Sequence, residues 1–291
     1  MADAIKCENL SKFYGKLEAV KNINLTLEED KIYGLLGRNG AGKSTLTNLI
    51  GAQIIRDSGH INIFGEEVFE NTKALENICL VKEKEIPLED DKVKRIFKFA
   101  SILYKNWDEE YKEFLVKEFN LDTNKKYKNL SRGTKSIVGV IIGLASRAKI
   151  TIFDEPSLGL DAAVREKFYN LLLQDYEEHK RTIILSTHLI DEVSNLFEEI
   201  IVMNKGEIIL KEEIDTLLDK AHFLSGREEI ILPLIKNKNI IHKEFFGATS
   251  IIGVLGKFEE GELKVLKDNN IDISPMSLQK LFIYITEGLN S

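Results

Sequence analysis

The chain runs to 291 residues, of which 43% are hydrophobic and 30% charged, with a formal net charge of −7. That length supports one large domain plus a smaller one, and the balance is that of an ordinary globular protein. The acidic excess argues against a nucleic-acid footprint spread over the surface, and two cysteines without metal-type spacing argue against a disulfide framework or a thiolate metal centre.

The opening MADAIKCENLSKFYG lacks the apolar core of a secretory signal. No uncharged apolar run approaches the roughly 20 residues that span a bilayer. SIVGVIIGLAS, residues 136 to 146, comes nearest and is too short. The expectation is a cytoplasmic chain with Cys7 and Cys79 as buried structural thiols.

Three β-rich runs come first: AIKCENLSKFY, AVKNINLTLEE and KIYGLLG. The third leads into GRNGAGKST, residues 37 to 45, and LTNLIGAQI continues as a helical pattern. Gly37, Gly42, Lys43 and Ser44 satisfy G-x-x-x-x-G-K-[ST] between a buried strand and a helix, the context in which this spacing makes a phosphate cradle. The glycines allow a tight turn that aims successive N–H groups at phosphate oxygens, and the following helix adds its positive end. The candidate cradle therefore includes Arg38, Asn39, Gly40, Ala41 and Thr45 as well. Lys43 is placed to reach β- and γ-phosphates, and Ser44 to put its hydroxyl on Mg²⁺. A phosphate loop alone leaves kinase, GTPase and motor open.

ICLV, residues 78 to 81, reads as a strand, and from about Leu88 to Phe119 the pattern turns helical. Aromatics crowd residues 84 to 130, Tyr104 and Trp107 among them. They supply the core of a helical subdomain or, with the ICLVKEK loop, line a groove for a short partner helix. In LSRGTKSIVGVIIGLASRA, Ser131 and the N–H of Gly133 open a helix, either as a simple N-cap or as an anion-binding point.

KITIFDEP, residues 149 to 156, is a buried strand delivering two carboxylates. Asp154 is placed to hold Mg²⁺ directly or through water, and Glu155 to orient or deprotonate an attacking water. RTIILSTH ends on His188, and EIIVMNKGEIIL turns at Asn204, Lys205 and Gly206. Strands alternating with helices imply an α/β domain on a largely parallel sheet, with antiparallel strands near its start. After about Asp215 come NIIHKEFFG, TSIIGVLG, EEGELKVLKDNN, IDISP and SLQKLFIYITEG, which read strand, strand, helix, strand, helix. The expected domains are 1–215, with a helical subdomain at about 84–148, and a small α+β domain at 216–291.

From about Ile5 to Leu210 the chain resembles the ATP-binding subunit of an ABC transporter. The resemblance is carried by the phosphate loop, KITIFDEP, and a loop of the LSGGQ type formed by Leu130, Ser131, Arg132, Gly133 and Thr134, 23 residues before Asp154. It implies an α/β P-loop NTPase core of ABC type with an antiparallel β subdomain and a helical subdomain, binding ATP and Mg²⁺. It also implies a head-to-tail dimer, homo- or heteromeric, with ATP between one subunit's phosphate loop and the other's Ser131 and Gly133. Gly159, Leu160 and Asp161 match the loop that touches the partner subunit, His188 the switch histidine at the γ-phosphate, and Tyr14 the aromatic that stacks on adenine, with Phe13 as alternative. Where the family usually has a glutamine that contacts the metal, this chain aligns Glu83, with Lys82 and Glu85 as alternatives. Arg132 and Thr134 replace the family's glycine and glutamine.

The function so implied is an ATPase subunit that powers transport through membrane subunits on the cytoplasmic face of the cell membrane, without a nucleic-acid partner. SPMSLQKLFIYITEG, closing a short accessory domain, is similar to bacterial exporter ATPases that move amphipathic or antimicrobial peptides. Export is the expectation. An importer ATPase and a non-transport ABC ATPase acting on ribosomes or DNA are the alternatives. A single phosphate loop with a single signature, and no long coiled coil or zinc spacing, weigh against the last.

Overall fold

The computed structural model describes residues 2–82, 88–247 and 249–288, and the chain divides into two units, Met1–Lys211 and Glu212–Ser291. The expected boundary after residue 215 falls inside a short helix of the second unit.

The first unit runs β1 (Asp3–Tyr14), β2 (Leu17–Glu28), β3 (Ile32–Gly37), α1 (Lys43–Ile50), β4 (Ser58–Ile63), β5 (Glu66–Glu67), α2 (Thr72–Leu75), β6 (Ile78–Lys82), α3 (Val93–Leu103), α4 (Glu109–Glu118), α5 (Arg132–Ala145), β7 (Ile150–Asp154), α6 (Ala162–Glu178), β8 (Thr182–Ser186), α7 (Ile190–Val193), β9 (Glu199–Asn204) and β10 (Glu207–Glu213). Two sheets result. One has the order β2-β1-β4-β5 and is antiparallel, and the other has the order β10-β9-β3-β8-β7-β6. In the second, β9, β3, β8, β7 and β6 are parallel neighbours.

The burial of these strands follows their sequences. Every residue of β3, β7 and β8 is buried, as continuous apolar runs covered on both faces require. Their shared direction puts the ends of β3, β7 and β8 at one rim, where Gly37, Asp154 and Ser186 stand. On β7 the register pairs Asp154 with Ser186 of β8 and with Lys82 of β6. Core residues of the antiparallel sheet, α1 and the parallel strands form one apolar cluster that includes Ile5, Leu10, Leu27, Leu46, Ile152 and Ile201. Each such side chain contributes about 1.5–3 kcal/mol on burial.

The helical stretch expected from Leu88 to Phe119 is broken into α3 and α4. Tyr104 leaves α3 in an extended conformation, and Asp108 caps α4 by accepting the Tyr111 N–H at 2.9 Å. Arg147 fixes this corner, donating to Asp108 at 3.0 Å and pairing with the buried Asp175 of α6, which Arg181 also engages at 2.6 Å. In α5, Gly143 allows close approach to the core, because a methyl there would stand 2.4 Å from the Phe153 ring.

The second unit comprises α8 (Ile214–Leu218), β11 (Ala221–Gly226), α9 (Glu228–Leu234), β12 (Asn239–Phe246), β13 (Thr249–Leu255), α10 (Glu260–Asp268), β14 (Asp272–Pro275) and α11 (Leu278–Gly288). Its sheet has the order β12-β13-β11-β14, with every pairing antiparallel. A core of Leu224, Ile231, Ile252, Val254 and Leu266 lies between α9, α10 and one face of that sheet. On the other face Tyr284 of α11 stacks on His242 at 3.9 Å. Among the described residues no helix is long and apolar enough to cross a membrane.

Candidate active site

The phosphate loop begins where β3 ends. Gly37 has no room for a side chain, since a methyl would meet the Met203 carbonyl at 2.8 Å. Gly42 takes φ 108° as the N-cap of α1, and a methyl there would stand 2.4 Å from the Ala19 carbonyl. No side chain caps α1 and its first turn holds no acid, so its free N–H groups and positive end remain open to an anion. Lys43 is buried at the same place, and its ammonium donates to the Gly37 carbonyl at 2.6 Å. Burial pushes this lysine below the ordinary range, while the carboxylates of Glu155 and Asp154 pull it back up.

A cleft of about 490 Å³ opens over this loop, lined by Tyr14, Leu17 and Ala19 on one side, by residues 39 to 45 along its floor, and by Glu155. Tyr14 is half exposed there, and Lys12 lies over its ring at 5.8 Å. Phe13 does not line the cleft. Arg38 is exposed and lies outside it. A larger hollow of about 610 Å³ lies between residues 106–110, 147–149 and 179–181, remote in sequence from every phosphate-loop residue.

The two carboxylates of KITIFDEP differ sharply. Asp154 is buried, and its Oδ1 has no hydrogen-bond partner within the protein. An orphaned buried carboxylate oxygen at the end of a strand suits a cation bound there. Glu155 has the left-handed φ of 52° and donates its N–H to the Ser186 carbonyl at 2.9 Å, which swings its side chain out into the cleft. His188 Nδ1 lies 2.7 Å from Glu155 Oε2, a dyad that the sequence distance of 33 residues concealed. No cluster of three or more His, Cys, Asp or Glu able to hold a metal exists among the described residues. Ser44 and Asp154 are the residues that would hold a Mg²⁺ ion here, with phosphate and water as its other ligands.

Ser131 and Gly133 are not at this cleft. Ser131 caps α5, accepting the Thr134 N–H at 3.2 Å, and remains exposed. Gly133 is pressed against the loop before α6: a methyl would stand 2.3 Å from the Gly159 carbonyl. Asp161 caps α6 by accepting the Val164 N–H at 2.9 Å and is exposed. Glu83 and Glu85 lie outside the described residues. Lys82, the other alternative, donates to Asn48 of α1 at 3.0 Å.

Sequence reasoning missed one structural partner of the cradle. The turn between β9 and β10 does more than close a hairpin: the Gly206 N–H donates to Ala41 at 2.9 Å, and the Gly206 carbonyl accepts from Lys21 at 2.8 Å. The run NKG showed a turn and nothing about what it touches.

Comparison with known proteins agrees with this architecture. The ABC transporter family profile matches residues 20–158. An energy-coupling factor transporter ATP-binding protein, EcfA2 of Staphylococcus epidermidis, is 30% identical over 87% of this chain and 92% of its own length. The bacitracin transport ATP-binding protein BcrA of Bacillus licheniformis is 28% identical over 99% of both chains. The dimeric structure of a post-hydrolysis state of the ATP-binding cassette MJ0796 bound to ADP and Pi superposes with a TM-score of 0.64 at 26% identity, covering 72% of this chain and 98% of that one. On this similarity the chain belongs to the ABC transporter family as an ATP-binding, ATP-hydrolysing transporter subunit.

Proposed function

We propose that this chain powers export of amphipathic peptides by ATP-driven closing and reopening of a dimer on the cytoplasmic face of the membrane. The observation that carries the hydrolytic part is Glu155, which lines the cleft over the phosphate loop and has His188 2.7 Å from its carboxylate. Lys43 and the open N-terminus of α1 hold the phosphates, and Tyr14 offers its ring to adenine at the other end. Glu155 holds the attacking water as base, and His188 fixes the carboxylate and reaches toward the γ-phosphate. Ser44 and Asp154 would hold Mg²⁺, which supplies neutralising charge to the β- and γ-phosphates.

One copy leaves the γ-phosphate open to solvent. Ser131 is exposed, and with the first turn of α5 it is set apart from its own cleft and suited to cover the nucleotide of a second copy. Membrane subunits then receive the motion. The full-length similarity to a bacitracin transport subunit supports export of amphipathic peptides. The equally clear similarity to an energy-coupling factor subunit keeps import as the competing outcome.

Two substitutions test this together. Lys43→Ala should abolish ATP binding, whereas Glu155→Gln should keep it and lower turnover by about 10²–10⁴-fold. Cells carrying Glu155→Gln in place of the parent should retain a labelled cationic amphipathic peptide and become more sensitive to it. Unchanged retention and sensitivity, with ATP turnover lost as expected, would remove the export assignment and leave the ATPase in place.

A further inference from the structure

Arg165 sits one turn into α6, and all its donor edges are engaged. Nε donates to Glu192 Oε2 at 2.8 Å and Nη2 to Glu192 Oε1 at 2.7 Å, while Nη1 donates to the Leu160 carbonyl at 2.9 Å. Glu192 belongs to α7, which starts two residues after His188. Leu160 belongs to the SLGLD loop. The near side of that loop is held by α5, where Ser136 donates to the Leu158 carbonyl at 2.7 Å and Gly133 abuts Gly159. Residues 158 to 161 are therefore braced between the helix that carries Ser131 and the helix that follows His188.

Chemistry limits what could do this job. A planar guanidinium can place two parallel N–H groups on a carboxylate and still present a third to a carbonyl, a geometry that lysine, a point charge with three donors, reproduces only in part. With side chains 20% and 40% exposed, the pair is worth little to stability. A geometric role explains the arrangement better.

We infer that Arg165, with Glu192, is a positioning residue for hydrolysis: it ties the 158–161 loop to α7 and so sets His188 against Glu155. This rests on the proposed roles of that loop at the second subunit and of His188 at the γ-phosphate. When the loop meets the second copy, its position passes through the Arg165 fork to α7 and so to the dyad, which the single chain already forms. Neither Arg165 nor Glu192 lines the cleft, and the fork joins Arg165 to Glu192 and Leu160 rather than to the phosphate loop, so its loss should leave nucleotide affinity nearly unchanged.

The test uses the full-length chain carrying Arg165→Met, Arg165→Lys, Arg165→Glu, or Arg165→Glu combined with Glu192→Arg, with His188→Ala as reference. ATP affinity, turnover and the steepness of turnover against ATP concentration are read for each. Arg165→Met should keep ATP affinity within about twofold while losing turnover on the order of 10- to 100-fold, the scale of a misplaced catalytic group. Its ATP dependence should lose steepness, a change that a merely structural defect does not produce. Arg165→Lys should fall between, and the exchanged pair should turn over faster than Arg165→Glu alone. Parental turnover and steepness in Arg165→Met, or an exchanged pair no better than Arg165→Glu, would overturn the inference. His188→Ala separates the two levels. If it is inactive while Arg165→Met is not, only the brace is wrong; if it is fully active, the proposed role of His188 fails first.

Discussion

At the residue scale, the site depends on positions where one atom more would not fit. Gly133 is read from the sequence as a donor of its N–H to an anion, and the structure adds a second demand on it. A methyl would lie 2.3 Å from the Gly159 carbonyl, a backbone atom that cannot swing aside. Gly133→Ala should destabilise the protein by about 1–3 kcal/mol, the usual cost of overpacking, and should lower turnover as the loop shifts. Urea unfolding and ATPase rate measured together check this, and an alanine variant with parental values of both would show that the contact is slack. Glu155 makes the same point from the other direction. Its left-handed backbone is an unusual conformation for a carboxylate residue, and it turns the side chain from the strand end into the cleft. The type and order of Lys43, Ser44, Asp154 and Glu155 were legible because each motif is local. The Arg165–Glu192 fork spans 27 residues and no local pattern announces it.

At the scale of elements, the phosphate loop is held from outside. The β9–β10 turn bonds to Ala41 and to Lys21 through one residue, Gly206, which takes φ 88° and meets the Ala19 and Glu18 carbonyls at 3.1 Å from where a methyl would sit. Gly206→Ala forces a left-handed alanine, costing about 1–2 kcal/mol, and pushes on the cradle. ATP affinity should fall about fivefold or more although residue 206 does not line the cleft. Equilibrium binding of a fluorescent ATP analogue measures it, and unchanged affinity would mean that the turn follows the loop rather than holding it. Elements with a continuous apolar run or a motif beside them are legible in the sequence: β3 into α1, β7, and the β9–β10 hairpin. β4 and β11 are not, because SGHINI carries a glycine at φ 83° and AHFLSG alternates weakly, and pairing with distant strands decides both. The break between α3 and α4 lies inside a continuous helical pattern, and its one local signal is Asp108 ahead of two glutamates, a helix start.

At the scale of the molecule, the exposed position of Ser131 is what the proposed two-copy site requires. Its own cleft is lined by the phosphate loop, Tyr14 and Glu155, while Ser131 is exposed elsewhere on the same unit. The parts of such a two-copy site are legible in one chain, but the act of joining them is not, since Ser131 and Asp161 serve locally as helix caps and Gly133 as a loop contact. The chemistry of the chain makes a direct test clean. Its two cysteines are buried, and burial pushes the Cys7 thiol up to about 12, so neither competes for crosslinking near neutral pH. The decisive measurement is disulfide formation in a Glu155→Gln chain carrying Ser131→Cys and Asn39→Cys, followed by non-reducing electrophoresis. With ATP and Mg²⁺ the chains should migrate as a covalent dimer, and without nucleotide as monomers. Monomers under both conditions, from a protein that still binds ATP, would contradict a nucleotide pocket completed by the signature helix of a second subunit.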